Sequence, residues 1–149
     1  MYNMKVAVYG QTYQDNAIEY LIELLDELNK VSAEVSIEKD FYELYKLHDE
    51  SETFPIFTME KGLDATFDMF VSFGGDGTIL RATTFVKDLG IPIVGVNTGR
   101  LGFLSTFKKE DVRKVVQEFK QGAYTVVERS LVQLNTKELD VEFGDLNFA

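Results

Sequence analysis

The sequence contains no cysteine, which excludes disulfide staples, thiolate nucleophiles and cysteine-based metal sites, and which fits a reducing compartment. It is also short of positive charge: 15 Lys and Arg stand against 25 Asp and Glu, a formal net charge of -10. Lys and Arg contacts to phosphate supply most nucleic-acid affinity, so a chain this acidic is not a general nucleic-acid binder, although a local site for a small anionic ligand stays open. No apolar run approaches the roughly 20 residues that span a bilayer. The opening stretch, Met-Tyr-Asn-Met-Lys-Val-Ala-Val-Tyr-Gly, has too short an apolar part for a signal peptide and reads as a first strand. The expected address is cytoplasmic. The single histidine, His48, lies in the acidic run Lys46-Leu47-His48-Asp49-Glu50 and reads as solvated surface. Internal repeats and low-complexity segments are absent.

What the chain does have is enough apolar material for a core: 149 residues, 45% hydrophobic and 27% charged, sufficient for one globular domain or part of a larger protein. Short apolar runs alternate with helical periodicity, the pattern of βαβ units and a parallel sheet. Val6, Ala7 and Val8 make a first strand ending at Gly10. From 15 to 30, Ile18, Leu21, Ile22, Leu25 and Leu28 share one stripe opposite Asp15, Glu19, Glu23 and Asp26, an amphipathic helix. Ala33 to Glu38 read as a strand, Phe41 to Leu47 as a short helix, and 48 to 64 as a polar loop region. A strand over 67–73, a helix over about 77–88, a strand Ile93-Val94-Gly95-Val96 and a helix from Lys108 to Lys120, ended by Gly122, complete the pattern.

Residues 70 to 81, Phe-Val-Ser-Phe-Gly-Gly-Asp-Gly-Thr-Ile-Leu-Arg, compress a strand, a tight loop and a helix start into one segment. The glycines admit a phosphate close to backbone N–H groups, and the helix adds its positive end. Asp76 stands in that anion-seeking place, where a carboxylate needs a metal, a hydroxyl proton or a capping role. A second glycine loop, Asn97-Thr98-Gly99-Arg100-Leu101-Gly102-Phe103-Leu104, follows the next strand. In a parallel sheet both loops open at the carboxyl ends of the strands and converge on one crevice. Phosphoryl transfer to a hydroxyl needs such a pairing, with Asp76 accepting the proton or sharing Mg²⁺ with the phosphates. A P-loop is excluded, because no lysine stands in the loop, and the dinucleotide pattern Gly-x-Gly-x-x-Gly begins at Gly75 and Gly77 but meets Leu80 where its third glycine belongs. Plainer readings exist for individual residues. Asp76 or Thr78 as helix caps, Gly99 and Gly102 as turn glycines, Arg81 and Arg100 as solvated or paired cations, and Phe103 as a core residue are the alternatives to a ligand site.

Gly74-Gly75-Asp76-Gly77-Thr78 resembles the motif shared by NAD kinases, diacylglycerol-type lipid kinases and, more distantly, phosphofructokinases. The stretch from Gly95 to Leu104 is similar to the NAD kinase version of the second loop, whereas lipid kinases carry a Gly-Thr-x-Asn-Asp pattern there. Glu128-Arg129-Ser130-Leu131 resembles the point at which an NAD kinase chain enters its β-rich domain. The resemblance implies transfer of a phosphoryl group from ATP or polyphosphate to the adenosine 2′-hydroxyl of NAD, giving NADP, with Mg²⁺ or another divalent cation. It assigns Asp76 as catalytic base and Gly75, Gly77, Thr78, Leu80, Arg81, Asn97 and Phe103 as nucleotide-binding positions, and it implies a homodimer or homotetramer. A lipid kinase of the diacylglycerol type and a non-catalytic nucleotide-binding module are the competing function classes.

The fold expected is therefore α/β, a Rossmann-like three-layer domain with a mostly parallel sheet over 1–122. From 123 the grammar changes: Ala123 to Thr136 and Leu139 to Ala149 read as strands without a helix between them, the start of a β-rich second domain over 123–149 that is cut short. The family's later motifs are absent, so the fragment by itself is expected to be inactive.

Overall fold

A computed structural model describes residues 2–11 and 17–132. Six strands form one sheet: β1 (Lys5–Gly10), β2 (Glu34–Glu38), β3 (Ile56–Phe57), β4 (Met69–Phe73), β5 (Ile93–Asn97) and β6 (Phe107–Lys108). Every neighbouring pair is parallel, in the order β3-β2-β1-β4-β5-β6. The chain winds outward from β1 to β3, then crosses to the other side and winds outward again from β4 to β6. That reversal puts a topological switch point between β1 and β4, where the register pairs Val6 with Met69 and Gly10 with Phe73.

Helices α1 (Ala17–Lys30), α2 (Lys39–Lys46), α3 (Asp76–Val86) and α4 (Val112–Lys120) supply the connections. Side chains alternate between the faces of a strand, and the core divides accordingly. Val6, Val8, Val71 and Phe73 pack with Leu21, Leu24 and Leu28 of α1, Phe41 of α2 and Val112 and Val116 of α4. Ala7, Tyr9 and Phe70 point the other way, onto Ala82, Phe85 and Val86 of α3. The result is the expected three-layer α/β arrangement, with Met69, Phe70 and Val71 of β4 wholly buried.

The elements agree with the sequence reading to within a few residues, with three differences. The helix expected from Lys108 begins as a 3-10 turn (Lys109–Asp111), because the Asp111 carboxylate accepts the Lys108 N–H at 2.9 Å and tightens the entry. Strand β3 falls in a stretch read as loop, and β6 takes Lys108, read as the start of a helix, together with Phe107; two residues are too few to show a period, and only the ladder to a longer neighbour makes them strands. The strand expected from Ala123 does not form within 123–132, which runs exposed without a ladder partner. Its one ring contact is Tyr124 stacked on Phe119, centroids 4.4 Å apart. The remainder of that strand, the strand expected from Leu139 and the start of the first helix at 15 and 16 lie outside the described residues.

Candidate active site

The crevice at the switch point starts from a backbone constraint. Gly74, at the end of β4, has φ +150°, and a Cβ there would stand 2.0 Å from Thr78 Oγ1, so the turn into α3 requires glycine twice over. Gly75 is the residue before the first turn of α3, and no side chain caps the helix. The capping alternative for Asp76 and Thr78 is thereby removed. Thr78 is buried, and its hydroxyl has no hydrogen-bond partner among the described residues. At Gly75 and Gly77 an added Cβ would meet nothing within 4 Å, so both border open space beside the N–H groups that precede the first intrahelical bond.

Asp76 is engaged by the other loop. Its Oδ2 accepts the Phe103 N–H, and its Oδ1 accepts those of Leu104 and Ser105, each at 2.9 Å. These backbone donors, Ser105 first, then Leu104 and Phe103, hold the carboxyl below the ordinary carboxylate range. The approach is close enough to dictate glycine at 102, where a Cβ would lie 2.2 Å from Asp76 Oδ1. Ser105 is fully buried at the junction, and its hydroxyl donates to the Gly74 carbonyl at 3.2 Å. Behind it, Asn97 closes the turn: its side-chain carbonyl accepts the Gly99 N–H at 2.7 Å and its amide donates to the Arg100 carbonyl. The two glycine loops therefore meet at one carboxylate.

The bonding leaves a defined chemical capacity. A carboxylate offers about four lone-pair sites; Oδ1 takes two donors and Oδ2 one. Oδ2 keeps room for one more donor, such as a hydroxyl, and the three N–H groups fix its direction. A resident metal fits poorly. Among the described residues no group of three or more His, Cys, Asp or Glu is placed to hold one, and most of the Asp76 lone pairs are occupied.

The structure gathers Gly75, Asp76, Gly77, Thr78, Asn97 and the Phe103 backbone at this crevice. The Phe103 ring projects from the loop, 93% exposed, so it is not a core residue. Leu80 is half-buried on α3. Arg81 is exposed and lines a separate cleft, with Glu38, Lys39 and Thr58 among its walls and none of Asp76, Asn97 or Phe103. The sequence reading missed Ser105 and the three donors on Asp76, because backbone N–H groups carry no residue signature.

Fold and site define a class: a doubly wound α/β domain with a glycine-lined crevice at its switch point, the place where such domains hold phosphorylated ligands. The particular family follows from comparison. The family described as the ATP-NAD kinase N-terminal domain matches residues 6–124, and the chain belongs to it. It is 42% identical over 147 residues to an NAD kinase of Flavobacterium psychrophilum, covering 98% of this chain and 50% of that protein. With an NAD kinase of Bacteroides fragilis it shares 41% identity over 133 residues, covering 88% and 45%. A crystal structure of yeast NADH kinase complexed with NADH superposes with a TM-score of 0.58 at 22% identity, covering 78% of this chain and 36% of that one, a likeness of fold. The chain spans about half the length of the curated relatives it matches. Among the described residues no helix is long and apolar enough to cross a membrane.

Proposed function

We propose that this chain is the nucleotide-binding half of an NAD kinase, which transfers a phosphoryl group from ATP or polyphosphate to the adenosine 2′-hydroxyl of NAD. The observation that carries this reading is the convergence of both glycine loops on Asp76, with Oδ2 the oxygen that retains acceptor capacity. In the proposed reaction that oxygen receives the hydroxyl proton as the hydroxyl oxygen attacks the terminal phosphorus. The bond from that phosphorus to the donor's bridging oxygen breaks, and the shortened donor leaves with the electron pair. The open N–H groups at Gly75 and Gly77 face the phosphates, and Phe103 offers a flat apolar surface to adenine or ribose. Mg²⁺ would arrive as the counter-ion of the donor's phosphates.

NADP formation by the full-length protein, with and without Asp76→Asn, tests the reading. A positioned base contributes about 10²- to 10⁴-fold, and a loss of that size is expected. Near-normal turnover by the variant would remove Asp76 from the role. The lack of cysteine supports a cytoplasmic address, and the family resemblance a homodimer or homotetramer, which light scattering on the full-length protein checks.

A further inference from the structure

Ser105 is wholly buried where the second glycine loop crosses the first. A hydroxyl in such a place has lost its water and needs a partner within the protein. Its Oγ donates to the Gly74 carbonyl at 3.2 Å, while the N–H of the same residue donates to Asp76 Oδ1 at 2.9 Å. One residue thus grips both ends of the turn Gly74-Gly75-Asp76. Between the two grips lies Gly75, which borders open space.

Both grips are braced against β5. The Gly74 N–H donates to the Val96 carbonyl at 3.0 Å, and the Ser105 carbonyl accepts the Gly102 N–H at 3.3 Å, which closes the second loop on itself. A Cβ on Gly95 would lie 3.0 Å from the Ser105 Cα, so the loop backbone rests directly on the strand. Glycine backbone has conformations to spare, and Gly74, at φ +150°, uses one of them. The hydroxyl bond removes that freedom at the carbonyl two residues before Asp76. Ser105 is also the foremost of the three donors that hold the Asp76 carboxyl below the ordinary carboxylate range. Alanine at 105 would keep the N–H and lose the bond to Gly74, which isolates the contribution of the hydroxyl.

We propose that Ser105 is a positioning residue for the phosphoryl transfer: its hydroxyl, by holding the Gly74 carbonyl, keeps its N–H on Asp76 and so sets the direction in which Asp76 Oδ2 meets the acceptor hydroxyl. Buried beneath the crevice, Ser105 acts through Asp76 and not on the substrate. The proposal rests on the kinase reading above, but the state of the Asp76 carboxyl tests it apart from turnover.

The experiment is Ser105→Ala in the full-length protein, on the wild-type and the Asp76→Asn backgrounds, read by the kinetics of NADP formation and by carbon-13 NMR titration of the Asp76 carboxyl. On the wild-type background kcat is expected to fall about tenfold, the rate equivalent of one hydrogen bond, while KM for NAD changes by less than about twofold. The Asp76 carboxyl should titrate at higher pH in the variant than in wild type. On the Asp76→Asn background the same substitution should lower the residual kcat by less than about twofold, because no base is left to aim. Should Ser105→Ala fail to fold, Ser105→Cys, whose thiol is a weak donor, carries the same expectations. Retained kcat, an equal loss on both backgrounds, or an unmoved Asp76 titration would each overturn the proposal and leave Ser105 a residue that only fills the junction. A full-length protein that forms no NADP would refute the kinase reading, while the Asp76 titration, which needs no turnover, still decides whether the Ser105 hydroxyl sets the carboxylate.

Discussion

At the scale of residues, Asp76 has two jobs that one substitution confounds. It is the proposed proton acceptor, and it is the anchor that three successive N–H groups of the second loop hold. Gly102→Ala separates them, because it keeps the carboxyl and drives a Cβ to 2.2 Å from Oδ1. Misplacement of about 1 Å costs on the order of 10²-fold in rate, so a loss of that size is expected in kcat of the full-length protein. Retained kcat would mean that the loop contact does not position the base. The lowered pKa gives a second test. A carboxyl held below its ordinary value stabilises the fold fully above the unfolded value and loses that contribution as pH falls through the folded value. Melting temperature followed from pH 6 downward should therefore fall more steeply for wild type than for Asp76→Asn below about pH 4; parallel curves would contradict the anchoring. The kcat/KM profile should for the same reason keep its acid limb below the ordinary carboxylate range.

At the scale of elements, the helix ends show which local choices matter. Gly122 closes α4 with φ +69°, its N–H donating to the Phe119 carbonyl at 3.0 Å while the Ala123 N–H reaches Glu118 at 2.9 Å, a Schellman cap. Gly122→Ala puts a Cβ into the left-handed region at a cost of about 1 kcal/mol. Leu24→Ala, at a wholly buried position of α1, should cost about 3 kcal/mol. Chemical denaturation of the two variants should rank them in that order. Gly122 shows why so much of the fold was legible, while the stripe of α1 was read with Ile22, which stands 41% exposed, and without Leu24, which is wholly buried. The α1 stripe and the glycine after α4 are one-dimensional signals, and so is the buried run of β4. The two-residue strands β3 and β6 were not legible, since their pairing is decided by neighbours distant in sequence. The site divides in the same way. Glycines and Asp76 announce a phosphate loop, but the distance from Arg81 to that carboxylate crevice, and the role of Ser105 between Gly74 and Asp76, exist only once the chain is folded.

At the scale of the whole molecule, the crevice is open. The Phe103 ring stands 93% exposed, and Asp76 keeps its remaining acceptor capacity at a surface to which water has access. Phosphoryl transfer to a hydroxyl depends on electrostatic stabilisation that is strong only where water is excluded, and water is itself a competing acceptor. The relatives are about twice as long as this chain, so the matched region accounts for half of each. Residues 1–149 tested alone with ATP, Mg²⁺ and NAD are therefore expected to form NADP at least about 10³-fold more slowly than the full-length protein, a factor comparable to the loss of one strong oxyanion-type contact. Comparable rates from the two proteins would show that the open crevice suffices for chemistry, and would move every determinant of turnover onto the residues described here.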